Sequence, residues 1–313
     1  IFGVRGANGV IIITTKKAKE GQTLVNINTS FGFKKVVDKV KLVNGSQFRE
    51  LYSEQLANQE DAPFDFTGWN ANTDWQDEIF QTAFITNNNI SITGASPKHS
   101  FYLGVGYSYE QGNIEHEKFS KVTINASNDY KITDYLKVGF QFNGARMLPA
   151  DSKQVLNALR ATPIAPVYND EYGLYSALPE FQKAQINNPM VDVSLRANTT
   201  KAENYRASGN IYGEVDFLKH FNFKAMFSMD YASNNGRTYQ PIVKVYDPTV
   251  SGNIATLGTG KTEVSQFKEN ETKVQSDYVL TYTNSFDNGN HNLTATAGFT
   301  TYYNSLSRLD GAR

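Results

Sequence analysis

The chain has 313 residues, of which 40% are hydrophobic, 19% charged and 13% aromatic, and it contains no cysteine. Its formal charge of −1 gives no bulk attraction to nucleic acid, and the lack of cysteine excludes disulfides, thiolate metal sites and cysteine nucleophiles. The longest apolar run, Val10 to Ile13, excludes a helical membrane protein. A membrane β-barrel stays open, because barrel strands are only half apolar.

Residues 1–21 have a pattern of their own. Gly3, Gly6 and Gly9 recur every three residues, and the apolar run that follows them predicts a buried strand. A phosphate-binding loop is not indicated, because no helix follows the glycines and no Gly-Lys-Ser/Thr is present. We interpret the segment as a structural turn into a strand. The chain starts without a methionine or signal-peptide features, so we expect it to be a piece of a longer protein.

From residue 22 onward the dominant pattern is a two-residue alternation of apolar and polar side chains, which is the period of a β-strand. Residues 100–110 show it best, with Phe101, Leu103 and Val105 on one face. Residues 135–143 and 220–231 repeat it. Weaker copies surround Ile27, Ile90, Ile124, Ile211, Leu280 and Ala295, which gives nine predicted strands.

The connections between the predicted strands alternate in length. Short turns rich in Pro, Asp, Asn and Gly alternate with long connections over about 35–86, 148–203 and 236–271, and only the connection at 112–118 breaks this pattern by being short. Such alternation is typical of an outer-membrane barrel, and the small polar residues on the second face suit a wet lumen. A two-sheet sandwich is the alternative, but the strand length and the aromatic face favour an all-β, antiparallel transmembrane barrel.

The first long connection contains two predicted helices. One runs from Ser46, as N-cap, to Asn58, and the other covers about 73–83 with Thr73 or Asp74 as cap.

We find no catalytic constellation, and no metal or cofactor motif, in the sequence. The four histidines lie in or beside turns without partner spacing. Aromatic rings stack on sugar faces, so the aromatic side chains of the long connections are the candidate ligand-binding groups. The alternative is that they pack the loops together or form an interfacial girdle. The candidates are Tyr168, Tyr172, Tyr175, Phe181, Tyr239 and Tyr246.

Several motifs resemble one family. Residues 2–17, FGVRGANGVIIITTKK, look like the end of the plug domain in SusC/RagA-type TonB-dependent outer-membrane transporters. Residues 72–80, NTDWQDEIF, resemble a second signature of that family in its first extracellular loop. Residues 88–107 are similar to its second and third strands, and residues 166–173 lie where its members carry a long surface loop.

The resemblance implies a plugged barrel of about 22 strands in the bacterial outer membrane. Residues 1–21 would end the plug, and residues 22–313 would form the first nine strands, with long extracellular loops and short periplasmic turns. Nine strands is an odd number, so we do not expect this stretch to close or transport alone. Arg5, Lys16 and Lys17 are expected to hold the plug to the barrel wall.

The function that the resemblance implies is TonB-dependent import of oligosaccharides or peptides. The expected partners are a SusD-like surface lipoprotein that acts as a lid, membrane lipid, and TonB of the TonB–ExbB–ExbD system, whose contact segment this chain lacks. An enzyme is disfavoured because no nucleophile stands near an acid or base. A structural or adhesive barrel recruited into a larger assembly is the remaining alternative.

Overall fold

The computed structural model describes residues 20–150, 155–258, 260–286, 288 and 290–313. Nine strands form one antiparallel sheet in which every strand pairs with its neighbour in the chain, so the sheet is a meander. This confirms the predicted number and order of strands. The strands of the sheet are β1 (Thr23–Lys34), β2 (Ala83–Ser96), β3 (His99–Gln111), β4 (Lys118–Lys131), β5 (Leu136–Leu148), β8 (Thr200–Phe217), β9 (Phe221–Gln240), β12 (Glu263–Phe286) and β13 (His291–Ala312).

The register places the alternating apolar residues on one side of the sheet. Ile90 pairs with Val105, and Val105 pairs in turn with Ile124. Further along the sheet, Ile211 lies between Phe140 and Phe227. We call this side the apolar face and the opposite side the polar face. A one-residue slip would exchange the two faces, so the hydrophobic pattern fixes the register.

The tight turns lie at one end of the sheet, and the three long connections lie at the other end together with the short connection 112–117. All three long connections are shorter than predicted, and the last one is shortened most. β9 continues to Gln240 and β12 begins at Glu263, so the strands take up much of the predicted loop 236–271. Likewise β2 begins at Ala83 and β8 at Thr200, inside the predicted loops 35–86 and 148–203.

Within the described residues of the long connections there are five α-helices, one 3-10 helix (Ser251–Asn253) and two small hairpins. The first helix begins at Gly45, and its N-cap is Asn44, two residues before the predicted N-cap Ser46, because Asn44 and Gln47 form a reciprocal capping box. Asp74 caps the second helix, as predicted, but this helix ends at Ile79 and not near residue 83, where the second strand of the sheet already begins. The elements are α1 (Gly45–Asn58), α2 (Trp75–Ile79), α3 (Val155–Arg160), α4 (Glu180–Lys183), α5 (Pro189–Thr199), the hairpin β6 (Tyr168–Asn169) with β7 (Leu174–Tyr175), and the hairpin β10 (Val243–Tyr246) with β11 (Ile254–Leu257).

The buried core of the described chain lies in the long connections, not on the sheet. The apolar face is exposed to a degree unusual for large hydrophobic residues, at 71% for Ile27 and 62% for Ile211. The described strands form an open sheet whose edges are β1 and β13. Among the described residues, no helix is long and apolar enough to cross a membrane.

Candidate functional site: a cap at the loop end of the sheet

Four connections fold together at the loop end, and we call them the cap: residues 35–82, 112–117, 155–199 and 241–258. Side chains of the first three segments share one core, and residues 241–258 join the second long connection through a smaller cluster of Ala177, Val191 and Val245, so the cap is a packed unit and not a set of independent loops. Its buried residues are Trp69, Trp75, Ile79, Ile114, Ala158, Ala161, Ile164, Ala165, Leu178, Met190 and Val193.

The segment 72–80 joins the first long connection to the second. The Trp75 indole N–H donates to the carbonyl of Thr162 at 2.9 Å, and the Thr73 hydroxyl donates to the carbonyl of Ala165 at 2.7 Å. Trp75 is only 3% exposed, so its single polar atom is satisfied inside the core. This part of the sequence motif therefore has a structural role.

Gln76 fixes a second segment, the extended chain that follows β1. The Gln76 amide donates to the carbonyl of Val40 at 2.7 Å and accepts from the Val40 N–H at 3.0 Å. An ion pair between Lys39 and Asp77 lies beside it. The side chain of Gln76 is buried. Its amide pairs with the backbone N–H and carbonyl of Val40 as the backbone of a neighbouring strand would. Nothing in the sequence pattern marked Gln76 for this role.

Two buried polar residues hold the second and third long connections. The Asn188 amide donates to the carbonyls of Val167 and Ser176, both at 2.9 Å. Asp247 is 1% exposed and forms an ion pair with Lys183 at 3.1 Å. Burial opposes ionisation of Asp247, but hydrogen bonds from Thr249 and the Lys183 ammonium outweigh it and lower the pKa of the carboxyl.

Four of the six candidate ligand-binding aromatics meet in the cap. Tyr168 and Tyr175 form an edge-to-face pair with ring centroids 5.4 Å apart, and Tyr172 lies 5.1 Å from Tyr246. The Tyr172 hydroxyl also accepts from the Asn253 amide at 3.0 Å. Tyr168 is 44% exposed, whereas the other three are half-buried. Within this group, Tyr168 presents the most ring surface to a ligand.

Of the other two candidates, Phe181 also belongs to the cap, whereas Tyr239 does not. Phe181 packs among the rings of Phe48, Tyr52 and Phe64, which joins the second long connection to α1. Tyr239 lies near the end of β9, on the sheet and not in a loop. The structure thus does not bring all six candidates into one pocket.

Arg5, Lys16 and Lys17, the expected plug contacts, lie outside the described residues. In the part of the chain that the structure describes, no group of three or more His, Asp or Glu side chains could hold a metal ion.

The polar face carries charged side chains that are paired with one another. Arg206 and Asp230 form a bidentate ion pair on β8 and β9, with a shortest distance of 2.8 Å. Near the turn end, the Tyr212 ring lies between Lys224, at 4.6 Å from its centroid, and Lys137, at 5.3 Å. Such a face can bind polar groups and water.

Comparison with curated proteins finds relatives among TonB-dependent receptors, whereas no protein-family model matches the chain. The chain is 30% identical to TonB-dependent receptor P3 of Formosa agariphila over 96% of its own length and 29% of that protein. It is 34% identical to TonB-dependent receptor SusC of Bacteroides thetaiotaomicron over 55% of its length and 17% of SusC. The chain thus spans less than a third of each of these two relatives.

Comparison with solved structures finds the same architecture. The whole chain superposes on 38% of a chain in the RagAB peptide transporter, with a TM-score of 0.79 and 18% identity. The RagAB peptide importer in its open–open state gives a TM-score of 0.76. The meander therefore matches part of the RagAB barrel in fold.

Proposed function

Because this chain belongs to the SusC/RagA-type TonB-dependent receptors, which reside in the bacterial outer membrane, we propose that the receptor imports oligosaccharides or peptides across that membrane. Members of this family are transporters and not enzymes, which agrees with the expectation from the sequence. We assign residues 1–21 to the end of the plug and residues 22–313 to the first part of the barrel, with the cap outside the cell.

The observation that carries the proposal is the division of the sheet into two unlike faces. The apolar face is exposed along every strand and suits lipid, while the polar face suits a water-filled lumen with a plug. A soluble protein would cover the apolar face with a second layer. Among the described residues, no such layer covers it.

The cap offers a docking surface for a partner at the outer end of the barrel. Its core makes it a rigid platform, and Tyr168 is exposed on it. We propose that a SusD-like lipoprotein closes over this platform and that TonB supplies the energy that moves the plug. The solved RagAB importer is described in open–open and closed–closed states, which supports a closing lid. Arg5, Lys16 and Lys17 are proposed to hold the plug against the wall.

Aromatic side chains of the long connections are the proposed substrate contacts. The exposed ring of Tyr168 can stack on sugar rings or on peptide side chains. We propose contact with substrate first for Tyr168 and next for Tyr172, Tyr175, Phe181 and Tyr246, whose rings already have partners. Tyr239 comes last, because the register of β9 places it on the apolar face, which we assign to lipid.

Co-purification tests the partner. The full-length receptor, tagged and extracted from outer membranes in mild detergent, should bring down a surface lipoprotein in about equal amount. Recovery of secretion or assembly machinery instead would overturn the importer and favour a structural role.

Growth tests the substrate class. A strain without the receptor should lose growth on one class of oligomer, either oligosaccharides or peptides, and keep growth on the monomers. Restoring the gene should restore growth. Equal growth of both strains on both classes would contradict the proposal.

A further inference from the structure

Charged side chains on the polar face are distributed unevenly across the sheet. On β1, β2 and β3 the register places only Lys34 and Glu110 on this face, and they pair with each other at the loop end. On β4 and β5 the charges lie nearer the strand ends, at Lys121, Asp129, Lys131 and Lys137. The middle of this part of the polar face is uncharged. We call it the neutral wall, which consists of the polar-face residues within 24–30, 85–95, 100–108, 123–127 and 139–147.

The other four strands carry charges in the middle of the same face. Arg206 pairs with Asp230 at 2.8 Å, and Lys273 pairs with Glu271 at 2.8 Å. Arg206 lies directly beside Ala145 of β5, so the charged part begins where the neutral wall ends. The charges of this part already have partners, and a ligand would have to compete with those partners.

Asparagine side chains dominate the neutral wall, and their hydrogen-bonding groups are unused. Asn28 lies beside Asn89, and Asn125 lies beside Asn143. Within the described part of the chain, none of these four side chains has a hydrogen-bond partner. Each amide offers two N–H donors and an acceptor oxygen. The wall can therefore bind uncharged polar groups such as hydroxyls.

One exposed aromatic ring lies on the neutral wall. Tyr102 is 39% exposed, and the outer edge of its ring lies over Gly104, where a side chain would collide with it. Ser91 and Asn125 lie on either side of Gly104 in the register. Tyr102 thus lies along its strand beside a hydroxyl and an amide. A sugar unit can stack on such a ring while its hydroxyls bind the groups around it.

Tyr102 lies far from the aromatic residues of the cap. Gln111, the loop end of β3, is nine residues further along the strand, which is about 30 Å at about 3.3 Å per residue. The neighbours Phe101 and Leu103 lie on the apolar face, so Tyr102 is at the level of the membrane. A substrate that moves inward from the cap would meet this ring late in its passage.

We propose that the substrate crosses the lumen along the neutral wall, with Tyr102 as a stacking platform, and that this substrate is an uncharged oligosaccharide. The inference rests on the proposed function, because it requires the polar face to line the lumen of an importer. It deepens that function by naming the side of the lumen and the substrate class. A charged oligomer finds no counter-charge on this wall, whereas the hydroxyls of a neutral sugar chain match its free amides.

Uptake kinetics test the neutral wall. Cells that produce the full-length receptor receive the labelled oligomer that supports receptor-dependent growth, and initial rates are measured over a range of concentrations. We expect Tyr102→Ala to lower the maximal rate by about three- to ten-fold, because it removes a stacking interaction of that size. Surface binding and the half-saturating concentration should stay unchanged. Tyr168→Ala, in the cap, should instead raise the half-saturating concentration.

Matched variants separate the platform from a general effect on the barrel. Tyr302 on β13 lies in the same row of the polar face as Tyr102 and is 46% exposed, but it belongs to the charged part. Tyr302→Ala should leave uptake unchanged. Tyr102→Phe, which keeps the ring, should recover most of the loss seen with Tyr102→Ala.

Four results would overturn the proposal. They are a wild-type maximal rate in Y102A, an equal loss in Y302A, uptake of charged peptides in place of neutral oligosaccharides, and leakage of a large antibiotic through substrate-free Y102A. The last result would show that the ring holds the plug. If the wild-type receptor imports no oligomer, the proposed function itself fails. Normal wild-type uptake that Y102A does not slow removes the neutral wall alone.

Discussion

Gln76 and Trp75 show how single residues shape the cap. Both lie in the segment 72–80 that the sequence marked, yet they contact different parts of the chain. Trp75 reaches Thr162, 87 residues away, and Gln76 reaches Val40, 36 residues away. Each satisfies buried polar groups that irregular backbone would otherwise leave unpaired.

Replacing Gln76 with Ala should loosen the segment that follows β1. The change removes both hydrogen bonds to Val40, and we expect a loss of about 1–3 kcal/mol in local stability. Amide hydrogen exchange of residues 36–44 in the full-length receptor should become faster by the corresponding factor. Gln55→Ala, at an exposed position of α1, is the control and should leave that exchange unchanged.

Asp247 makes the cap sensitive to acid. Its pKa is lower in the folded cap than the ordinary value near 3.8, so its contribution is fully present above about pH 4 and is lost as the pH falls through the lowered pKa. The hairpin β10–β11 should therefore open more readily in acid. Asp247→Asn should lower its stability by about 2 kcal/mol near neutral pH and flatten this pH dependence.

Proteolysis at a series of pH values measures this opening. Glu171→Gln, at an exposed carboxylate of the same cap, is the control and should follow the wild type. A variant D247N that keeps the wild-type pH profile would show that Asp247 does not cause it.

At the scale of elements, the sequence predicted the strands well because each strand meets two different environments. The predicted strand ends were wrong where both faces of a strand are polar. On β9 the apolar face continues beyond Tyr231 with Ser233 and Asn235, so both faces become polar while the ladder of hydrogen bonds continues. The alternation therefore ended earlier than the strand.

The small elements of the cap are too short to show a periodic pattern of hydrophobic residues in the sequence. The hairpins β6–β7 and β10–β11 have strands of two and four residues, and α4 has four residues. Tertiary contacts decide their conformation, such as the hydrogen bond from the Ala177 N–H to the carbonyl of Tyr246 at 2.7 Å. Local sequence carries little of that information.

The turn between β8 and β9 offers an element-scale prediction. Leu218 and Lys219 both have positive φ, at 50° and 61°, which is unfavourable for these residue types. Leu218 is 75% exposed, so its side chain contributes little packing. Leu218→Asn should stabilise the hairpin by about 0.5–1 kcal/mol, because Asn tolerates this conformation.

Chemical denaturation of the full-length receptor in detergent measures the effect of this change. Leu218→Ile, which keeps the exposed apolar side chain and is branched at Cβ, should be neutral or destabilising. A lower denaturation midpoint for L218N than for the wild type would contradict the explanation.

At the scale of the molecule, the sequence predicted the sheet but not the site. The faces of the sheet repeat along 22–313, so a pattern reveals them. The cap is assembled from four distant segments through contacts such as those of Asn188 with Val167 and Ser176. The spacing of residues in the sequence does not predict such contacts. For the same reason the six candidate aromatics, chosen by type and loop position, divide among three places.

The receptor is proposed to carry an oligomeric substrate inward, and uptake of labelled substrate by whole cells tests this import most directly. Cells with the receptor should accumulate the labelled oligosaccharide or peptide on which they grow. Accumulation should stop when a protonophore removes the energy that TonB transmits, while binding at the surface persists. Uptake that is equal with and without the receptor, or that continues without energy, would contradict the account.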